Sequence, residues 1–274
     1  MKKRCRRTLW AGRFVGWSLW SQAGDTLDAM SGFDEARRDA SSSRLRPRGG
    51  GTRYCPVCGQ GIDGLRVPTP GRRAACPNRW CRRSDRGFSV VFSVGVHRDG
   101  LRQAITHYKY LGDDRLARFL AGSLASYVDE RAAWFEEFDV LTSVPSYRGV
   151  GARRRWDPVG TITTVMAARL GGRWDVVPDL VSKSCETPAM TGLTWSERQA
   201  VAQGPLRKAL AVADTGQVGG SRILVVDDVF TDGSTLREVA LTLLGAGAAE
   251  VAGLVLARRA WTASPPGVTL TFGR

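Results

Sequence analysis

The amino-acid sequence predicts an α/β fold: a doubly wound, mainly parallel sheet preceded by a small module built on four cysteines. Three observations predict it. The stretch 222–236 reads as strand, acidic pair, tight loop and helix, with Ile223, Leu224, Val225 and Val226 followed by Asp227 and Asp228. Four consecutive apolar residues suit a strand covered on both faces, as in a parallel sheet between helices. From residue 88 onward, strand-like runs alternate with amphipathic helical stretches, the pattern of βαβ units. Upstream, Cys55-Pro56-Val57-Cys58 and Cys76-Pro77-Asn78-Arg79-Trp80-Cys81 form a C-x2-C and a C-x4-C separated by 17 residues.

At 274 residues and 43% hydrophobic, the chain can bury a sizeable core. No apolar run reaches the ~18 residues of a membrane-spanning helix, so no membrane insertion is expected. Of the formal charge of +14, residues 1–53 carry +7, residues 54–90 carry +5 and residues 91–274 only +2. The basic character therefore belongs to the N-terminal third, where it would serve attraction to nucleic acid or solubility.

Taken in order, residues 1–53 lack a sustained hydrophobic period and end in a Ser-, Arg- and Gly-rich run at 41–51, so they are predicted to be a disordered basic extension. The start superficially resembles a signal peptide, but Arg13 interrupts its apolar region and no small-residue cleavage site follows. Translation from Met30 is the alternative account of the first 29 residues. A four-cysteine module is expected at 54–87. Paired thiolates on tight turns converge tetrahedrally on Zn²⁺, making Cys55, Cys58, Cys76 and Cys81 candidate ligands of a structural, zinc-ribbon-like site. The alternative is two disulfides, which require an oxidising compartment to which nothing in the chain directs it; a cytoplasmic protein is expected. Arg72, Arg73, Arg79, Arg82 and Arg83 around the cysteines offer a nucleic-acid surface. Cys5 and Cys185 have no evident partner.

The α/β domain is expected at 88–274. Strands are predicted at 88–96, 138–144 and near 174–181, then at 222–228 and 250–257. Helices are predicted at 101–110, from a cap at Asp113 or Asp114 to about 134, at 158–170, and from about Leu236. Leu116, Phe119, Leu120, Leu124 and Tyr127 are spaced for one buried helix face. Ligands of open α/β sheets bind at the C-terminal ends of the strands, where Asp227 and Asp228 fall. The loop of Thr231, Asp232, Gly233, Ser234 and Thr235 then feeds a helix N-terminus, whose free N–H groups favour an anion such as phosphate. Two carboxylates beside such a cradle fit a phosphorylated ribose, with Mg²⁺ as a partner. A response-regulator receiver begins similarly, but only 46 residues follow Asp228, too few for the rest of that domain.

With these pieces in place the chain resembles the ComF/GntX family of phosphoribosyltransferase-like proteins. The resemblance rests on the cysteine array, on 108–113 (Tyr-Lys-Tyr-Leu-Gly-Asp), on the strand ending Ser143-Val144-Pro145, on 187–198 (Thr-Pro-Ala-Met-Thr-Gly-Leu-Thr-Trp-Ser-Glu-Arg) and on the acidic signature. It implies a type I phosphoribosyltransferase-like domain that binds 5-phosphoribosyl 1-diphosphate (PRPP) with Mg²⁺ and transfers phosphoribose to an unidentified nitrogen acceptor, releasing pyrophosphate. By that resemblance Asp227 and Asp228 would hold the ribose hydroxyls as catalytic residues, Thr231, Asp232, Gly233, Ser234 and Thr235 would wrap the 5′-phosphate, and Arg148 would meet the pyrophosphate. The family is also associated with natural competence, which implies the alternative of a catalytically weak accessory protein that binds single-stranded nucleic acid or a DNA-uptake partner. The chain departs from the family pattern at 154–159, at Met190, at Val201 and at Asp232, where an uncharged residue is usual. A carboxylate within ~5 Å of a phosphate is repulsive by on the order of 1 kcal/mol.

Overall fold

The computed structural model describes residues 54–61 and 76–260. The 1–53 extension, its signal-like start, Cys5, Arg72 and Arg73 lie outside the described residues. Five parallel strands form the central sheet: β1 (Val91–Val96), β2 (Val140–Ser143), β3 (Asp175–Val176), β6 (Arg222–Phe230) and β7 (Glu250–Arg258), in the spatial order β1-β7-β6-β2-β3. A separate antiparallel pair, β4 (Val181–Lys183) and β5 (Leu210–Val212), stands beside it.

The unbroken apolar run of β6 follows from its central place. Leu224 and Val226 enter a core on one face of the sheet, while Ile223 and Val225 enter a second core on the other. The first core is covered by α1 (Asp99–Leu111), α2 (Asp114–Asp129) and α3 (Pro158–Arg169). In α1 the buried Leu101, Ile105 and Tyr108 lie on one stripe. That helix stops at Gly112, whose left-handed φ of 66° returns its N–H to the Tyr108 carbonyl at 3.0 Å. Asp113 then caps α2 by accepting the Arg115 N–H at 2.7 Å. Leu120, Leu124 and Tyr127 are buried as spaced, with Leu116 and Phe119 packed partly against them.

The second core lies under α6 (Ser234–Gly245) and the four-cysteine module. Between β4 and β5 the chain forms α4 (Trp195–Val201), a π-turn over Ala202–Leu206 and the short α5 (Arg207–Ala209). Thr194 and Glu197 open α4 with a reciprocal capping box.

Two expectations are corrected, and one element was not expected. The strand expected near 174–181 divides, β3 joining the main sheet and β4 leaving it for β5. The unexpected element is the helical stretch after Thr194, which carries a π-turn with Pro205 inside, a geometry that hides its period. Finally β6 does not end at the acids. It runs to Phe230 because β7 stays paired with it as far as Arg258.

Candidate functional site

The site is made where β2 lets go of β6. Their ladder runs from Val140 with Ile223 to Ser143 with Val226, and the last bond is Val144 N–H to the Val226 carbonyl at 2.9 Å. Pro145, which has no N–H, then leads the chain away. From Asp227 onward β6 stays paired with β7 but no longer with β2, so the two acids follow directly on the end of that ladder, on opposite faces of the strand. Asp227 is half-buried and Asp228 is buried. The Asp228 N–H donates to Asp227 Oδ1 at 2.8 Å, which fixes the first carboxylate against its own strand.

Lys109, in the last turn of α1, forms an ion pair with Asp228. Burial pushes the Asp227 carboxyl up to about 7; Lys109 opposes this shift and Asp157 adds to it. Burial also lowers Lys109, with Asp227 acting against that shift. One carboxylate is thus neutralised by an ammonium, and the other needs a cation or hydrogen-bond donor before it ionises readily at neutral pH.

The segment 154–159, which departs from the family pattern, has structural work of its own. Trp156 packs edge-on against Tyr108 with ring centroids 4.9 Å apart, and the Tyr108 hydroxyl donates to the Pro158 carbonyl at 3.0 Å. Asp157 caps α3, accepting from Val159 N–H at 3.1 Å and Gly160 N–H at 3.0 Å. Arg154 lies over Tyr110, 5.4 Å from the ring centroid. Arg148 is half-exposed and donates to Asp179 Oδ1 at 2.7 Å, and Arg153 pairs with Glu186.

The loop from Thr231 to Thr235 turns at Gly233, where φ is 92° and an added Cβ would lie 2.8 Å from the Phe230 ring and 3.2 Å from Phe88. No other residue fits there without displacing two core aromatics. Asp232 does not turn outward. It is 5% exposed, and its Oδ1 accepts both the Ser234 N–H at 2.9 Å and the Ser234 hydroxyl at 2.8 Å. Gln199 donates to that hydroxyl at 2.5 Å. The carboxylate thereby takes two of the donors that an anion at the start of α6 would use, while its Oδ2 is buried without a partner.

Beside the loop is a cleft of ≈ 220 Å³, bordered by Val144, Pro145, Thr187, Met190, Thr235 and Lys183 among others. Met190 thus stands at the cleft, and the Thr235 hydroxyl donates to its Sδ at 3.7 Å. Val201 is not among the lining residues.

The four cysteines converge. Cys55, Cys58 and Cys76 are buried, Cys81 is half-buried, and their sulfurs all lie within 4.8 Å of one another. They are free thiols rather than disulfides, with Cys58 Sγ and Cys76 Sγ 3.7 Å apart. Tetrahedral Zn²⁺ with Zn–S of about 2.3 Å places its sulfurs about 3.8 Å apart, so the cluster fits that ion. Val57 accepts the N–H of Val91, seating the first knuckle against the start of β1.

Residues 177–269 match the family model described as "Phosphoribosyl transferase domain". A curated relative, the DNA utilization protein YhgH of Salmonella typhimurium (strain LT2), is 26% identical over 199 residues, spanning 72% of this chain and 80% of that protein. Residues 177–269 are thus of phosphoribosyltransferase type, and the chain as a whole is similar to that DNA utilization protein. The α/β domain of this chain has the type I phosphoribosyltransferase fold. Similar solved structures include an allosteric regulatory enzyme of purine biosynthesis (25% identity, TM-score 0.32, 51% of this chain and 25% of that one). A glutamine PRPP amidotransferase from B. subtilis has 24% identity and a TM-score of 0.32 over 51% of this chain and 26% of its own. A purine phosphoribosyltransferase from Pyrococcus horikoshii Ot3 has 13% identity and a TM-score of 0.32 over 57% and 94%. The chain spans about a quarter of the first two.

Within this phosphoribosyltransferase-type domain, the expected site residues fall into separate groups. Asp227 and Asp228 stand at the open edge of β6, and Thr231, Asp232, Gly233, Ser234 and Thr235 lead directly into α6. Arg148 is engaged by Asp179, not by either acid. Sequence reasoning missed Lys109, Gln199 and Asn78. Lys109 lies inside the 108–113 segment already singled out, so the signal was present without its geometry.

Proposed function

We propose that this chain binds PRPP with Mg²⁺ and transfers its phosphoribosyl group to a nitrogen acceptor, with pyrophosphate as the leaving group. The observation that carries this reading is the adjacency of Asp227 and Asp228, at the open edge of β6, to a loop that ends in the N-terminus of α6. Asp227 and Asp228 would accept hydrogen bonds from the ribose hydroxyls, with Lys109 paired to Asp228 beside them. The N–H groups of the loop and of the first turn of α6 would face the 5′-phosphate, weakened there by Asp232. Arg148 would have to leave Asp179 to reach pyrophosphate. Holding both ends of the sugar leaves its C1 facing the cleft at Met190 and Thr187, where the acceptor nitrogen would approach.

Carboxylate oxygens suit a hard cation, and the raised pKa of Asp227 leaves it in need of one. When bound, Mg²⁺ would offset the charge that develops on departing pyrophosphate. The cysteine cluster would hold Zn²⁺ structurally, since its ligands lie on two tight turns that pack into the second core.

Calorimetric titration of PRPP with Mg²⁺ into the full chain tests the reading. Saturable binding is expected, weakened at least ~10-fold in the Asp227→Ala, Asp228→Ala double variant, the loss of two charge-assisted contacts. No heat from the wild type at millimolar PRPP would sink it.

A second reading, an accessory protein that binds nucleic acid, is favoured by Asp232's hold on the Ser234 donors and by the printed name of the relative. Affinity for a single-stranded oligonucleotide should then fall linearly with salt on logarithmic axes, and less steeply when Arg79, Arg82 and Arg83 are all changed to Gln. An unchanged slope would count against that surface.

A further inference from the structure

The four-cysteine module reaches into the ligand loop through one side chain. Asn78 lies between Cys76 and Cys81 and is fully buried. Its Oδ1 accepts the Trp80 N–H at 3.0 Å, capping the 3₁₀ turn Arg79–Arg82 that presents Cys81. Its Nδ2 donates to the Asp232 carbonyl at 2.9 Å, across 154 residues of sequence. One amide therefore fixes the turn that carries a metal ligand and the backbone of the loop that would wrap a phosphate.

The surrounding contacts make this a joint rather than an isolated bond. The Arg237 guanidinium, from the first turn of α6, lies 4.3 Å from the Trp80 ring centroid and donates to the Asp85 carbonyl at 3.2 Å. Trp80 also meets Trp195 of α4 at 6.4 Å, and Arg79 covers Trp195 at 4.5 Å. Among the described residues, Trp80 Nε1, Trp195 Nε1 and Asp232 Oδ2 are buried without hydrogen-bond partners.

We propose that Asn78 is a positioning residue for the 231–235 loop, so that metal loading of the cysteine module and ligand binding at the loop are thermodynamically linked. The identity of the ligand rests on the PRPP reading above; the positioning does not. Linkage is reciprocal: whatever factor zinc adds to PRPP affinity, PRPP adds to zinc affinity.

Amide hydrogen exchange of the full chain, with zinc stoichiometry measured in parallel, tests this. In Asn78→Ala about one zinc per chain should remain, since the four sulfurs are untouched. Exchange in peptides spanning 231–236 should nevertheless rise about tenfold, the effect of one buried hydrogen bond, while peptides from α2 and β7 stay at the wild-type rate. Chelating zinc from the wild type should raise exchange in 231–236 as well, and add little there to the variant. Should Asn78→Ala lose zinc, Asn78→Ser keeps an oxygen for the Trp80 N–H without the reach to Asp232 and is judged by the same readout. Unchanged exchange at 231–236 in a zinc-loaded variant would overturn the proposal. A wild type that gives no heat with PRPP would defeat the PRPP reading and leave the exchange result to decide this one.

Discussion

Under the proposed reading, Asp232 is the side chain on which affinity for a phosphate would turn. By taking the N–H and hydroxyl of Ser234 it stabilises the start of α6 in the ligand-free protein, and it sets a negative charge where a phosphate would approach. Replacing it with Thr frees both donors and removes the charge. Asp232→Thr should therefore bind ribose 5-phosphate roughly fivefold more tightly than wild type, the equivalent of the ~1 kcal/mol repulsion; equal affinities, measured by calorimetry, would mean that the carboxylate moves aside at no cost. The sequence made Asp232 conspicuous as a charge in a loop, but the inward turn of its side chain depends on Ser234, Gln199 and the buried floor beneath them. Lys109 was hidden for a related reason. Its neighbours 108–113 were recognisable, yet its contact with Asp228 exists only because α1 ends over the open edge of β6.

At the scale of elements, the strand–loop–helix unit from β6 to α6 was legible because a continuous apolar run, two acids and a glycine turn are all local signals. Gly233 carries the tightest of these constraints. Gly233→Ala combines a φ of 92° with a Cβ 2.8 Å from Phe230, and should lower stability by about 1–3 kcal/mol in denaturant unfolding; a variant as stable as wild type would show that the loop has another accessible conformation. The antiparallel pair β4 and β5 was not legible. Three-residue strands offer no period to read, and their pairing joins segments 27 or more residues apart across a π-turn. A strand was expected where β3 lies, but not its early end, since its two exposed residues take strand geometry from the neighbouring β2 alone.

Over the whole molecule, the four-cysteine cluster and the parallel α/β sheet were readable from spacing and periodicity, whereas their interlocking was not. Trp80, Asn78 and Asp85 join the module to α4, α6 and the ligand loop, and Val57 joins it to the start of β1. Among the described residues no helix is long and apolar enough to cross a membrane. In the proposed function the acids of β6, tuned by burial and by Lys109, would be the ligand-binding groups. Because Asp227 is raised to about 7, the ligand-free fold holds an extra proton between about pH 4 and 7. That group's contribution to stability is present below its unfolded pKa and is lost as pH rises through 7, while its capacity to hold a cation is gained over the same range. The decisive measurement is the affinity for Mg²⁺ with PRPP from pH 6 to 8 in wild type, Asp227→Asn and Lys109→Met. The prediction is an affinity that climbs with a midpoint near 7 in wild type, a flat and weaker profile in Asp227→Asn, and a midpoint moved upward in Lys109→Met. Identical profiles in wild type and Asp227→Asn would contradict the account.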